Sequence, residues 1–189
     1  IMGGPSIGGN YWSDFGEVDV DRDGFCDSSY VLDENNVDQL PLQGIAVNSV
    51  GDDGDADLDD GVPDTGNTVV RNGVEEPEVT LRAAIEQANA TPGADHIIFD
   101  IPPSSTQVIT PVQPLPPITE SLTLNAATQP GDEPVVLDGS ALSADTDGIV
   151  WNTTGENSVE GLQIRGFSGN GLVMEGPEIF DPAGVPDSL

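Results

Sequence analysis

Asp147-Gly148-Ile149-Val150, Glu160-Gly161-Leu162-Gln163 and Asn170-Gly171-Leu172-Val173 share one phrase: a polar residue, a glycine, then an apolar opening. The phrase returns at short intervals, Gly148 to Gly161 and Gly161 to Gly171. Around it lie short apolar runs: Ile97-Ile98-Phe99, Gln107-Val108-Ile109, Leu122-Thr123-Leu124, Val135-Val136-Leu137, Gly148–Trp151, Val159–Ile164 and Gly171–Met174. Asp138-Gly139, Asp147-Gly148 and Gly169-Asn170-Gly171 mark turns between them. Strands this short and this regularly spaced fit a sandwich or a parallel β-helix. The recurring phrase favours stacked coils over a Greek key.

Upstream, Thr80-Leu81-Arg82-Ala83-Ala84-Ile85-Glu86-Gln87-Ala88-Asn89 predicts the one convincing helix. Thr80 suits the N-cap, and Glu75, Glu76 and Glu78 lie near the positive end of the dipole. Leu81, Ala84, Ile85 and Ala88 share one face, and Pro92-Gly93 stops the helix. A single narrow apolar stripe suits a cap over the end of a larger core.

The 189 residues include 34 acidic and 4 basic side chains, a net charge of −30. Gly (23) and Pro (16) make up about a fifth of the chain, which favours turns over long helices. Arg22, Arg71, Arg82 and Arg165 are the only cations, too few for a nucleic-acid footprint or an anionic membrane surface. No apolar run is long enough to span a bilayer, and no basic-plus-apolar export signal follows Ile1. Charge this one-sided destabilises a compact state unless salt screens it or divalent cations neutralise it. The acids are clustered aspartates, which points to cations. Cys26, the sole cysteine, leaves only an intermolecular disulfide open. His96, the sole histidine, has no second nitrogen to join it as a metal ligand and reads as structural or solvated.

Two aspartate runs carry the strongest chemical signal. In Asp19-x-Asp21-x-Asp23-Gly24-x-x-Asp27, alternate carboxylates converge on one centre when the backbone wraps, and Gly24 permits the sharp turn. This is the first half of an EF-hand-like loop, with Tyr30 where the closing Glu would stand. Calcium takes about six to eight oxygens, so Asp14, Asp33, a carbonyl or water would complete the shell. The second run is Asp53-x-Asp55-x-Asp57-x-Asp59-Asp60-Gly61-x-x-Asp64. Its register is ambiguous; Asp55, Asp57, Asp59 and Asp64 are the preferred Ca2+ ligands, with Asp60 a bystander. Asn89-Ala90-Thr91 and Asn152-Thr153-Thr154 are glycosylation sequons.

Gly8-Gly9-Asn10-Tyr11-Trp12-Ser13-Asp14-Phe15, the first aspartate run, Tyr30-Val31-Leu32 and Asn36–Leu42 together resemble the closing segment of a β-helix family. That family includes the periplasmic copper-associated proteins of nitrous oxide reductase maturation and many archaeal surface proteins. Val47-Asn48-Ser49, Asp60–Asn67, Val79-Thr80-Leu81-Arg82-Ala83-Ala84-Ile85, Ala94–Pro102 and Gly166–Gly171 resemble the N-terminal part of a second group. These are right-handed parallel β-helix proteins of prokaryotic cell surfaces, with the entry motif Cys-Ser/Thr-Leu-Arg-Glu/Ala-Ala-Ile. Where that group often has a cysteine pair, this chain has Pro63 and Val79. The resemblance therefore implies a loop held by something else, with calcium the candidate. Copper, suggested by the first resemblance, is disfavoured by one His, one Cys and the distant Met2 and Met174.

An ending motif thus precedes a beginning motif. The expected fold is all-β: a short right-handed parallel β-helix with one N-terminal capping α-helix and Asp-rich calcium loops. Residues 1–42 would be a β-helix-terminating calcium-loop module, 43–94 the acidic loop and capping helix, and 95–189 the short β-helix and tail. The expected function is an exported, calcium-stabilised structural protein of the cell surface. Head-to-tail homo-oligomers, with residues 1–42 over a neighbour's open end, would build a filament or surface array. The alternatives are an adhesin that binds surface glycans and a polysaccharide lyase or hydrolase. A lyase would use Arg165 beside Asp138, Asp145 or Asp147; no residue is assigned a catalytic role.

Overall fold

The computed structural model describes residues 28–33, 35–38, 44–71, 73–102, 107–153 and 155–174. Most of the N-terminal module, with Asp19, Asp21, Asp23 and Asp27, lies outside them, as do Arg22 and Cys26.

The described chain is mostly strand, with parallel sheets and one short helix. Strands β1 (Tyr30–Asp33) and β2 (Asn36–Asp38) form an antiparallel hairpin. After β3 (Ile45–Val47) comes the acidic loop, then a second hairpin, β4 (Thr68–Arg71) with β5 (Val74–Pro77). Helix α1 (Leu81–Ala90) follows, capped as its sequence demands: the Thr80 hydroxyl accepts from the Ala83 amide at 3.0 Å. Leu81, Ala84, Ile85 and Ala88 are all buried, and α1 packs on β3 and on β6 (Ala94–Phe99).

From β6 onward the chain makes three passes over the same three ladders. The first runs through β6, β7 (Val108–Ile109) and the isolated bridge residue Ile118. The second uses β8 (Ser121–Asn125), β9 (Val136–Asp138) and β10 (Ile149–Trp151). The third uses β11 (Ser158–Glu160), β12 (Gln163–Arg165) and β13 (Leu172–Met174). Every pairing between passes is parallel, giving the orders β11-β8-β6-β3, β12-β9-β7 and β10-β13. The passes differ in length: Ile97 pairs with Leu124 and Leu137 with Ile164 at equal separations, whereas Leu124 to Val159 is longer and Ile149 to Leu172 shorter.

Register stacks like on like. Ile45, Ile97, Leu124 and Val159 form one column, and Ile109, Leu137 and Ile164 another. Ile97, Leu124, Ile109 and Leu137 are essentially inaccessible, as expected where each pass covers the one before it.

The glycine phrase works differently from its sequence reading. Gly148 and Gly171 do share a ladder, for Ile149 pairs with Leu172, and a Cβ on Gly148 would strike the Gly171 carbonyl. Gly161 belongs elsewhere. At φ 70° it turns the chain between β11 and β12, which join different sheets. The run Val159–Ile164, read as one strand, is therefore two. Spacing alone does not distinguish a glycine needed for close approach from one needed for positive φ.

Asp95 is an acid on a core-facing position. It shares its side of β6 with Ile97 and Phe99 and pairs with buried Leu122. Its Oδ2 is buried without a partner. Burial, with Glu120 adding repulsion, pushes its pKa up to about 6. A raised carboxyl pKa means that protonation favours the folded state. That stability is complete below about pH 4 and is lost as pH rises through about 6. With allowance for solvent screening, about 1–2 kcal/mol is at stake. Asp95→Asn is expected to be more stable than wild type by that amount at pH 7 and equal to it at pH 4. Urea melts at both pH values would show it; a difference independent of pH would refute it.

Candidate metal centre and the uncovered end of the stack

The acidic loop is tied down at its stem. Asn48, itself buried, accepts from the Val79 amide at 2.8 Å and donates to the Pro77 carbonyl at 2.9 Å. Glu78 accepts from the Ser49 hydroxyl at 2.5 Å and the Thr65 hydroxyl at 2.8 Å. The Asn67 amide donates to Asp53 at 3.1 Å and to Glu78 at 3.3 Å. Arg82 on α1 forks onto Asp52, Nε to Oδ1 at 3.0 Å and Nη2 to Oδ2 at 3.1 Å. Polar side chains thus hold the loop next to Val79, where the second family resemblance implies a cysteine.

The Ala56 amide donates to the Asp64 carbonyl at 2.8 Å, which closes the loop's tip. Within it, several carboxylates accept from an amide two residues ahead: Asp55 from Asp57 (3.0 Å), Asp57 from Asp59 (3.2 Å), Asp60 from Val62 (2.8 Å) and Asp64 from Gly66 (2.7 Å). These are local turns of the Asx type. Asp57 and Asp59 are exposed, whereas Asp55 and Asp64 are partly buried. Among the described residues, no three His, Cys, Asp or Glu side chains are gathered closely enough to hold a metal ion. The loop is therefore not a finished cage.

One atom in it stands out. Asp55 Oδ2 is buried and has no hydrogen-bond partner. Burial raises the Asp55 pKa; the Asp57 amide opposes this, and Asp60, Asp64 and Glu86 add repulsion. Glu86 Oε2 also accepts the Asp55 amide at 2.8 Å. The charges acting on Asp55 thus include Asp60, read as a bystander, and Glu86, which sequence reasoning missed. Glu86 lies far downstream on a helix, and only the packing of α1 against the loop joins them.

The other sequence candidates have ordinary surroundings. Arg165 donates to Asp138 at 2.9 Å, its register partner and the first of the three aspartates that a lyase would set beside it. Hydrogen bonds from Ser140 and Arg165 hold the Asp138 carboxyl below its usual range. His96 is half-buried, and burial lowers its pKa. The Asn89 amide is engaged by the Pro117 carbonyl and by Thr119, whereas Asn152 is exposed.

The two ends of the stack differ. α1 packs against β3 and β6 at the start. At the other end, β11, β12 and β13 each have one neighbour among the described residues. Leu172 and Met174 continue the columns of Ile149 and Trp151, which are 1% and 3% exposed. Yet Leu172 is 45% and Met174 70% exposed, because no described pass lies over them. Trp151, Asn157, Ser158, Val159, Leu172 and Met174 line a depression there. Trp151 Nε1 is buried without a partner.

No protein family, curated protein or solved structure matches this chain.

Proposed function

We propose that this chain is an exported, calcium-stabilised structural protein of the cell surface. On this reading its three passes are turns of a short right-handed parallel β-helix, and copies assemble head to tail. The observation that carries the reading is the final pass, where Leu172 and Met174 are exposed on the core-facing side and each strand has one neighbour among the described residues. Such a surface tends to pair with another chain. Because its contact patch differs from the opposite, capped end, the contact is heterologous and propagates into filaments or arrays unless it closes a ring. The surface location rests on the two family resemblances. Arg165 lies beside Asp138, as a lyase would need, but this pair alone does not carry a catalytic reading.

Calcium completes the proposal. Asp19, Asp21, Asp23 and Asp27 would hold one ion, and Asp55, Asp57, Asp59 and Asp64, with Glu86 alongside, a second. A bound divalent ion would neutralise carboxylates in a chain whose net charge of −30 sets copies against one another. The partnerless Asp55 oxygen supports the second site, which requires the loop to close on the ion.

Electron microscopy and light scattering of the purified protein, in millimolar calcium and after chelation, test the proposal. Polymers that form with calcium and disperse without it are expected. Calcium is also expected to raise thermal stability, by about 2.7 kcal/mol at a hundredfold excess over the dissociation constant of one site. Asp55→Asn combined with Asp64→Asn should remove part of that gain. A monomer under both conditions would end the assembly reading.

A further inference from the structure

We infer that Asn170, in the bend between β12 and β13, is a site of spontaneous deamidation through the Gly171 amide, and that its conversion loosens the last pass. The chemistry needs water alone and is independent of calcium and of assembly.

Ring closure onto an asparagine side chain is least hindered when glycine follows. No Cβ then stands beside the attacking nitrogen, and the backbone has its widest freedom. The chain has this step at Asn72-Gly73 and at Asn170-Gly171. Asn72 lies outside the described residues. Asn170 is exposed, and among the described residues no backbone hydrogen bond holds the Gly171 amide. The step stacked against it, Asp147-Gly148, differs: there the Gly148 amide is held, donating to the Asn170 carbonyl at 2.8 Å. The Asn170 carboxamide is restrained by a long bond, Nδ2 to Asp147 Oδ1 at 3.2 Å.

The Gly171 nitrogen gives its proton to hydroxide and attacks Asn170 Cγ. A C–N bond forms, and Nδ2 takes a proton from water and leaves as ammonia. Water then opens the succinimide at either carbonyl. One opening yields aspartate. The other yields isoaspartate, whose main chain runs through the side chain and is longer by a methylene. Either product adds a negative charge.

The surroundings make both products costly. Asp147 Oδ1 accepts from the Asn170 amide at 2.5 Å as well as from Nδ2, and deamidation replaces the Nδ2 donor with a second carboxylate. In isoaspartate the former Asn170 carbonyl, the acceptor for Gly148, leaves the main chain. There is no slack for the added methylene. A Cβ on Gly148 would strike the Gly171 carbonyl, which accepts the Ile149 amide at 3.0 Å. β13 has β10 as its one neighbour among the described residues, so no second ladder holds its register.

Incubation of the full chain at mildly alkaline pH, folded and in urea, tests this by peptide mapping, with enzymatic isoaspartyl methylation to detect the lengthened chain. Asn170 is expected to convert in the folded protein no more than about tenfold more slowly than in urea, since one hydrogen bond restrains its carboxamide. Gly171→Ala should slow conversion at least about tenfold in both conditions. Its Cβ would meet Ile164 Cγ2 at 3.3 Å, and the rate in urea is independent of how the variant folds. In the converted protein the Ile149 amide should lose at least about fivefold of its protection from hydrogen exchange. Asn170 that stays intact when folded but converts in urea overturns the site, as does conversion at Asn72 alone. An undiminished rate in Gly171→Ala overturns the ring closure. Unchanged exchange at Ile149 after conversion overturns the loosening.

Discussion

Arg82→Ala is expected to lower the unfolding free energy by about 3–5 kcal/mol, the range for breaking a buried ion pair from one side. The Arg82 and Asp52 side chains are only 12% and 10% exposed. Beyond the fork onto Asp52, the guanidinium donates to the carbonyls of Gln113 (2.8 Å) and Pro114 (3.0 Å). Asp52 also accepts the Val112 amide at 2.8 Å. One side chain on α1 therefore joins the helix, the acidic loop and the segment leading to Ile118. Its loss strands a carboxylate and frees two carbonyls. Arg82→Lys keeps the charge but lacks the planar fork, and should cost about half as much. Arg165→Ala is the control. That side chain is 60% exposed, and its loss should cost about 1 kcal/mol or less. Urea denaturation of the three variants measures this. Similar midpoints for Arg82→Ala and Arg165→Ala would refute the clamp.

Gln129→Ala is expected to cost about 3 kcal/mol, because two buried backbone groups lose their partner at once. Gln129 Oε1 accepts the Ile101 amide and Nε2 donates to the Ile101 carbonyl, both at 2.9 Å. Both residues are buried, at 7% and 1% exposure. The preceding residue does the same for Phe99: the Thr128 hydroxyl accepts its amide at 2.8 Å and donates to its carbonyl at 3.2 Å. Beyond Ile98–Asn125, the last pair between β6 and β8, side chains thus take over from the missing β8 backbone. The Ile101 amide should lose its protection from hydrogen exchange in Gln129→Ala. Gln129→Glu sets an acceptor against the Ile101 carbonyl while ionised, and its stability should recover in acid, where the carboxyl can donate. If the Ile101 amide stayed protected, the bond would be of no consequence.

Neither interaction was legible in the sequence. Arg82 read as part of a helix and of an entry motif, and nothing in the sequence singled out Thr128-Gln129. Their partners are distant in the chain, and such pairings depend on the length of a whole pass, which no local preference encodes. The same holds for Glu86 beside Asp55. Even the glycine phrase, which pointed toward stacking, has the wrong period. The step from Gly148 to Gly161 is only about half the step from Ile97 to its partner Leu124. Gly161 is a corner, outside the ladder shared by Gly148 and Gly171.

What the sequence determined by itself was local: α1 with its Thr80 cap and buried stripe, the short strands, the turns between them, and an acidic charge that demands neutralising or screening. These follow from side-chain periodicity, backbone restrictions at Gly and Pro, and simple charge. Tertiary structure alone decided which strands become neighbours, which glycine meets which carbonyl, which acids crowd Asp55, and that Leu172 and Met174 are exposed although they continue buried columns. Parallel pairing joins residues a full pass apart, so its register is settled only when the whole chain has wound and each apolar column has found its layer.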